Sequence, residues 1–328
     1  MISDALFRRV VTTPLALPQL FTSAKSFEDN LLIGSPTLNG WGLHEARVTV
    51  AHRITAARRR RLAPLVSAEA RADFARDGYI VRRDFLPAAD FAALRGEVAA
   101  YRCTVREKFE GDTKLRKITA TPAVLAALPA LRALLANAEW RHLIAYVGGR
   151  AAAPSVYLQS VLRHVRAGDP DPQTLVHADT FHPTVKAWLF LTDVPEDEGA
   201  FSYVPGSHIL TPRRLAWERA RSLEAAHSTD GETREGSFRV AVAELARLGL
   251  PPPRVLGVPA NTLVVADTFG FHARGPSARS SLRVEVWAIG KRTPFIPWAA
   301  IDAPISGSWL RNAENGWQSR ETTAFDPS

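Results

Sequence analysis

Residues 177–208, HADTFHPTVKAWLFLTDVPEDEGAFSYVPGSH, decide the fold of this 328-residue chain. They begin with a histidine and an aspartate two positions apart, His177 and Asp179, and continue into an apolar run at 185–194. Proline, glycine and acidic residues bound the run, a pattern typical of a short strand in an antiparallel sheet. Side chains at i and i+2 of a strand point to one face. The stretch therefore predicts an imidazole and a carboxylate side by side on one face of a sheet.

Short apolar runs broken by proline and glycine recur along the chain and have the length and composition of strands. They cover residues 79–85, 155–163, 185–194, 200–204, 255–258, 261–266 and 282–289. A further short strand is predicted at 173–176, leading into His177. Helical periodicity is found at 67–78, 87–102, 121–137, 212–226 and 240–248. The predicted fold class is α+β with a mainly β core, in which helices flank a sandwich or barrel of antiparallel strands.

The sequence predicts three parts: an N-terminal extension at 1–66, a compact domain at 67–293 and a C-terminal tail at 294–328 that packs on the domain. Within the extension, residues 43–65 have the pattern of a basic amphipathic helix. Its apolar side is formed by Leu43, Val50, Ile54, Ala57, Leu62 and Leu65, and its charge comes mainly from four arginines at 58–61. Such a helix either lies on an anionic membrane surface or caps the core of its own domain with its arginines in water.

The 41 basic and 33 acidic residues give a net charge of +8. This balance favours anionic partners, although an arginine-rich composition alone produces the same value. Nucleic acid is disfavoured because no aromatic residues interleave with the arginines of 43–65. The single cysteine, Cys103, is predicted to lie on a helix, and it excludes an internal disulfide. With no apolar run of membrane-spanning length, a cytoplasmic protein is predicted, and membrane contact through 43–65 is the alternative.

A third histidine, His272, follows the predicted strand at 261–266. Two imidazoles and one carboxylate fill one face of an octahedral iron(II) and leave the other face open for an oxidant and a co-substrate. The spacing of His177 and Asp179 alone is weak evidence, because nine histidines make one such pair expected by chance. A rival metal cluster is His164 with Asp169 or Asp171.

An arginine inside an apolar strand supports the same kind of site. Arg283 lies eleven residues after His272, in the predicted strand at 282–289. A buried guanidinium is costly unless it has an anionic partner. A carboxylate bound through two parallel hydrogen bonds is the natural partner.

Taken together, these motifs resemble the phytanoyl-CoA dioxygenase family of Fe(II)/2-oxoglutarate-dependent oxygenases. The similarity covers roughly residues 70–291. It is carried by His177, Asp179, Trp188, Glu198-Gly199-Ala200, the run VPGSH at 204–208, His272 and Arg283. The resemblance implies a double-stranded β-helix (a jelly roll, cupin-like) flanked by helices. It also implies that His177, Asp179 and His272 bind Fe(II).

The resemblance assigns further residues to the co-substrate. Arg283 would pair with the far carboxylate of 2-oxoglutarate, and Gln159 and Trp188 match positions that line its pocket. Lys117 is either a second anion contact or a solvated lysine. The family often has a small hydroxyl residue two positions after the distal histidine, whereas this chain has Arg274. That departure either changes the 2-oxoglutarate contacts or marks an anion site on the substrate side.

The implied activity is hydroxylation of an unactivated C–H bond with O2 and 2-oxoglutarate, releasing succinate and CO2. The expected substrate is a small molecule, lipid-like or a natural product, and anionic or lipid-linked. His182 and Arg274 are expected on the substrate side. One alternative is a catalytically silent jelly roll that only binds. Another is a peripheral-membrane protein that acts through its arginine-rich helix. The sequence leaves the oligomeric state open.

Overall fold

The computed structural model describes residues 16–166, 168–290, 293–295 and 317–326. In this part of the chain, an eight-stranded antiparallel sheet faces a three-stranded one. The strands are β1 (Tyr79–Arg82), β2 (Cys103–Glu110), β3 (Thr113–Thr119), β4 (Ser155–Arg163), β5 (Val185–Phe190), β6 (Phe201–Tyr203), β7 (Arg254–Leu256), β8 (Thr262–Asp267), β9 (His272–Arg274), β10 (Ser281–Gly290) and β11 (Gln318–Thr322). The large sheet has the order β1-β8-β5-β10-β4-β3-β2-β11, and the small sheet β7-β6-β9. The predicted jelly-roll fold with a mainly β core is thereby confirmed.

Ten helices are described, and several cover the outer face of the large sheet. They are α1 (Pro36–Gly40), α2 (Leu43–Leu62), α3 (Ala68–Asp77), α4 (Ala88–Ala100), α5 (Pro122–Ala127), α6 (Pro129–Ala136), α7 (Ala138–Gly148), α8 (Pro212–Glu224), α9 (Gly231–Arg234) and α10 (Val242–Leu248). Leu131 and Trp140 from these helices pack with Leu189 and Val286 of the sheet. Strand residues alternate between the two faces, so the outer face is closed by helices and the inner face remains for the site.

The inner face of the large sheet packs against the small sheet. Trp188 and Val264 of the large sheet form one cluster with Phe201 and Tyr203 of β6. The ring centroids of Trp188 and Phe201 lie 4.6 Å apart. We call this cluster the apolar floor. It lies between the two sheets, and the polar residues of the inner face lie along one edge of it.

Several elements differ from the predicted ones. The hairpin of β2 and β3 was missed, and Cys103 begins a strand rather than lying on a helix. Its residues alternate lysine, arginine and glutamate with few apolar positions, so it lacks the composition of a buried strand. The predicted helix at 121–137 is two helices, because Pro129 cannot continue the first one. Helix α7 was also not predicted.

The described part of the C-terminal tail adds β11 to the edge of the large sheet. β11 pairs antiparallel with β2. Ala324 joins the outer hydrophobic cluster, and its carbonyl accepts a 2.5 Å hydrogen bond from Ser160 Oγ. Trp298 and Trp309, which the sequence places in the same tail, lie outside the described residues.

Helix α2 buries a different side from the predicted one. Its buried residues are His44, Arg47, Val48, Ala51 and Thr55, whereas Val50 and the following Leu65 are exposed. The helix packs against α7 and α8. No helix in the described ranges has both the length and the apolar character needed to cross a bilayer. Contact with a membrane surface stays a prediction.

Two arginines of α2 face the protein. Arg47 is buried and donates from Nε to Leu20 O at 3.0 Å and from Nη2 to Ala24 O at 2.7 Å, and burial lowers its pKa to about 9. Arg59 Nη2 donates to Asp267 Oδ2 at 2.7 Å, and that carboxylate is completely buried. The N-terminal helix is therefore tied by charge to the end of β8.

We expect Arg59→Met to lower the free energy of unfolding by about 3 kcal/mol, because it leaves the buried Asp267 carboxylate without its cation. Urea unfolding followed by circular dichroism measures the change. Arg60→Met is the matched control, because Arg60 is exposed on the same helix, and its effect should stay within about 0.5 kcal/mol. Equal effects of the two substitutions would contradict the assigned ion pair.

Candidate metal centre

Two histidines are joined through their backbones. His177 N donates to His272 O at 2.9 Å, and His272 N donates to His177 O at 2.8 Å. This antiparallel bridge extends the small sheet beyond β9. The ring centroids lie 4.5 Å apart. Residues separated by 95 positions are thus held side by side by main-chain hydrogen bonds.

Asp179 completes the group. Its amide donates to Thr268 O at 2.9 Å, which places the side chain beside both imidazoles. Asp179 Oδ1 lies 3.7 Å from His177 Nε2 and 3.6 Å from His272 Nε2. Among the described residues, these three are the one group of His, Cys, Asp and Glu side chains that could hold a metal ion, with donor atoms within 4.8 Å of one another.

The tautomers of both histidines are set by backbone carbonyls. His177 Nδ1 lies 2.7 Å from Leu175 O, and His272 Nδ1 lies 2.9 Å from Gly270 O. A carbonyl accepts hydrogen bonds only, so each Nδ1 carries the proton and each Nε2 keeps a lone pair. This is the arrangement that orients imidazole ligands in metal sites. Two nitrogen donors and one oxygen donor therefore fit an iron(II) site with open positions.

The charges of the group also suit a cation. Burial, followed by repulsion from His272, lowers the pKa of His177 to about 4, which keeps its imidazole neutral near pH 7. Burial opposes ionisation of Asp179, but Lys186, His272 and His177 together hold the pKa of that carboxyl well below its usual value. Neutral imidazoles and an ionised carboxylate are the ligand forms that bind a metal.

Lys186 was not identified from the sequence. Its Nζ lies 2.7 Å from Asp179 Oδ2, so Oδ1 remains the oxygen that faces the histidines. Lys25, in the N-terminal extension, donates from Nζ to Asp179 O at 2.6 Å. The available signal was a lysine at an inner-face position of the otherwise apolar β5. Lys25 has no comparable signal, because it is distant in sequence.

The segment before His177 differs from the expected strand at 173–176. Residues Pro172–Thr174 form a 3-10 turn, in which Asp171 accepts a 2.8 Å hydrogen bond from Gln173 N. Proline fixes φ and lacks an N–H donor, which favours a turn here over a strand. The carboxylate and imidazole still meet, because the bridge to His272 sets the position of His177.

The predicted co-substrate residues share the inner face of the large sheet. Gln159 lies opposite Glu285 in the β4–β10 pairing, and Arg283 precedes Glu285 by two positions. Arg283 Nε lies 2.9 Å from Glu285 Oε2, and Gln159 Nε2 donates to Glu285 Oε1 at 2.6 Å. Arg283 Nη1 donates to Gly199 O at 2.6 Å. Glu285 is completely buried and was not predicted from the sequence. Its carboxylate therefore pairs with the guanidinium that is expected to bind 2-oxoglutarate.

Two further arginines lie near Arg283. Arg163 Nη1 lies 3.0 Å from Asp171 Oδ2, and Arg274 forms a second ion pair with the same oxygen. Asp171 is completely buried. Burial is the main cause of the lowered pKa of Arg283, and repulsion from Arg274 and Arg163 adds to it. Arg163 Nη1 also lies 4.0 Å from Oδ1 of the buried Asp112, so three guanidiniums face three buried carboxylates, and an added anion has to compete with these internal partners.

The remaining predicted residues lie around this region. Trp188 packs on Phe201 in the apolar floor. Lys117 lies with Nζ 4.3 Å from the ring centroid of Trp287. His182 is buried, with Nδ1 2.9 Å from Pro183 O, and burial is the main cause that lowers its pKa to about 4. Its role on the substrate side stays a prediction, as does that of Arg274.

The rival cluster does not assemble in the described residues. His164 Nδ1 lies 2.7 Å from Asp112 Oδ2, and His164 Nε2 lies 2.9 Å from Ser277 O. Asp171 is held by two arginines instead. Each of these groups already has a structural partner of its own.

We expect Asp179→Asn to weaken Fe(II) binding by more than about 100-fold, since changes even to outer partners of a ligand weaken binding by about 10- to 100-fold. An anaerobic Fe(II) titration of the metal-free protein measures the affinity, and circular dichroism checks the fold. Asp169→Asn is the control, because Asp169 is exposed in a loop of the same region. Unchanged affinity in Asp179→Asn would show that the three residues are not the iron ligands.

One family of known proteins matches about half of the chain. The family model described as Phytanoyl-CoA dioxygenase (PhyH) matches residues 74–243. No curated protein matches the chain.

Several solved structures are similar to the chain. The non-heme alpha ketoglutarate dependent epimerase SnoN from nogalamycin biosynthesis is 22% identical, with 69% of this chain and 82% of that chain covered and a TM-score of 0.44. The carbocyclase SnoK from the same biosynthesis is 22% identical, with 68% and 83% covered and a TM-score of 0.45. HygX from Streptomyces hygroscopicus, with nickel and 2-oxoglutarate bound, is 18% identical, with 73% and 92% covered and a TM-score of 0.42.

Proposed function

Because this chain belongs to the phytanoyl-CoA dioxygenase family, we propose that it is an Fe(II)/2-oxoglutarate-dependent dioxygenase that hydroxylates an unactivated C–H bond of a small molecule. The observation that carries the proposal is the convergence of His177, Asp179 and His272, with both Nε2 atoms within 3.7 Å of one carboxylate oxygen. An iron(II) ion held by these three residues would supply the oxidising chemistry with O2 and 2-oxoglutarate, and 2-oxoglutarate would be converted to succinate and CO2.

The metal ligands have distinct tasks. His177 and His272 present the lone pairs of Nε2, because their Nδ1 atoms are bound to carbonyls. Asp179 supplies the negative charge through Oδ1, while Lys186 holds Oδ2. This contact leaves Oδ1 as the oxygen that would bind the metal.

The arginine-rich inner face receives 2-oxoglutarate. Arg283 binds the carboxylate far from the iron, and Gln159 and Trp188 line the pocket. The incoming carboxylate must displace Glu285 from Arg283 or share Arg283 with Glu285. Arg274 stands where the family often has a hydroxyl group, and its guanidinium forms an ion pair with Asp171.

A catalytically silent jelly roll is the less favoured function. A protein that only binds a ligand does not require three metal donors beside a buried guanidinium cluster, nor two histidines among them with fixed tautomers. Perturbed and paired charges of this kind concentrate in catalytic sites. Small-molecule oxidation therefore accounts for more of the buried polar groups than binding alone does.

We expect Arg283→Met to weaken 2-oxoglutarate binding by about 100-fold, because it removes a charge-assisted pair worth up to about 3 kcal/mol. Titration of the anaerobic Fe(II) protein with 2-oxoglutarate, followed by the visible charge-transfer band, measures the affinity. Arg279→Met is the control, since Arg279 is an exposed arginine near β10. Wild-type affinity in Arg283→Met would exclude this residue as the carboxylate partner.

Glu285→Gln should have the opposite effect. Removing the competing negative charge leaves Arg283 without its internal anion, so we expect 2-oxoglutarate to bind about 10-fold more tightly. The same anaerobic titration measures the change. If the substitution weakens binding, Glu285 orients Arg283 rather than competing for it.

Turnover tests the proposed function as a whole. We expect the Fe(II)-loaded protein to release succinate from 2-oxoglutarate faster with some members of a compound panel, and mass spectrometry should detect one added oxygen atom in those compounds. A mass change without added oxygen would identify another oxidation. No accelerated release by any compound, despite 2-oxoglutarate binding, would favour the silent jelly roll.

A further inference from the structure

A cavity of about 660 Å³ opens at one end of the inner face, in the part of the chain that the structure describes. Its walls are the first residues of β4 and β5, the last residues of β10 and the adjoining parts of α2, α7, β2 and β3. None of the metal ligands lines it. A volume of this size suits a small organic molecule.

The wall of the cavity is strongly basic. Five cationic side chains face one carboxylate, Glu110, which lies 3.4 Å from Lys108. The cationic residues are Arg58, Arg106, Lys108, Lys117 and Arg150. A concave surface with one sign of charge concentrates ligands of the opposite sign.

Two of the cationic residues in this wall are arginines from neighbouring segments of the chain. Arg58, on α2, and Arg150, just after α7, both line the cavity. Burial, and then repulsion from Arg150, lowers the pKa of Arg58. An anion placed between them removes this repulsion and gains charge-assisted hydrogen bonds.

Aromatic side chains line the cavity beside the cationic ones. Tyr157 and Trp287 lie with ring centroids 5.3 Å apart, and both line the cavity. Lys117 Nζ lies over the Trp287 ring. Aromatic faces of this kind pack the apolar body of a ligand whose charged end is held elsewhere.

The cavity adjoins the metal centre through the sheet. Ile289 lines the cavity and is paired across β10 and β5 with Lys186. Trp287 is paired in the same way with Trp188. Directly paired residues of antiparallel strands lie about 5 Å apart and point to the same face. Lys186 contacts Asp179, so one paired residue separates Ile289 in the cavity wall from that carboxylate.

We infer that this cavity is the substrate site and that the substrate is a small organic anion. Arg58 and Arg150 bind its carboxylate or phosphate group, and its apolar body lies along Trp287 toward the metal centre. The inference rests on the proposed function for the identity of the ligand as a substrate. The binding itself does not depend on iron or 2-oxoglutarate.

Binding of three probes to the metal-free, full-length protein tests this assignment. The probes are phenyl phosphate, benzoate and benzyl alcohol, which have a similar aromatic body and differ in charge. Isothermal titration calorimetry measures each affinity. We expect at least one anionic probe to bind at least about 10-fold more tightly than benzyl alcohol, and Arg58→Met to weaken that probe by about 10- to 100-fold. Arg58→Lys should recover part of the loss because it keeps the charge.

The controls separate this site from the metal centre. Arg61→Met removes an exposed arginine from the same helix, and His177→Ala removes an iron ligand. Both should bind the anionic probes like the wild type. Tighter binding of phenyl phosphate indicates a phosphate group on the substrate, and tighter binding of benzoate a carboxylate. Equal binding of the neutral probe, no binding of any probe, or loss of anion binding in Arg61→Met would overturn the assignment. Failure of iron or 2-oxoglutarate binding, with these probe affinities intact, would count against the proposed function alone.

Discussion

One buried carboxylate, Asp267, connects the parts of the molecule that form the metal centre. Its Oδ1 accepts hydrogen bonds from Thr184 N and Phe269 N, which fixes the start of β5 and the turn that leads to His272. Its Oδ2 accepts a hydrogen bond from Arg59 of the N-terminal helix, and its backbone carbonyl accepts one from the hydroxyl group of Tyr203 in the small sheet. A buried charge without these partners would destabilise the fold strongly. The position of His272 therefore depends on contacts that reach from α2 to β6.

The inner face of the jelly roll is unusual in its density of paired charges. Arg163, Arg274 and Arg283 are held by Asp171 and Glu285. Such pairs are close to neutral in energy while complete, but removal of one partner exposes the desolvation penalty of the other. Ligand anions therefore have to compete with these internal carboxylates for the guanidiniums. The affinity of the site depends on the difference between the internal and the incoming partner.

The sequence predicted the parts of the structure that are encoded locally. Apolar strands such as β5 and β8 have recognisable composition and turn boundaries, and the candidate ligand set was predicted from His177, Asp179 and a histidine placed just after a strand. The charged hairpin of β2 and β3 was missed because only pairing with β4 and β11 makes it a strand. Glu285 and Lys186 were missed as partners for a related reason. Their pairing with Arg283 and Asp179 depends on the conformation of the folded inner face, which no periodicity records.

The reciprocal hydrogen bonds between His177 and His272 have a thermodynamic consequence. The two imidazoles are held together by the main chain of the folded protein, so an arriving cation does not have to order them. The unfolded chain separates them by 95 residues and lacks this arrangement. A metal that binds only the folded protein stabilises it by mass action. Above the dissociation constant, the added free energy of unfolding increases with the logarithm of the metal concentration. A higher concentration of free iron would thus raise the folded fraction of the protein, independently of whether the protein turns over.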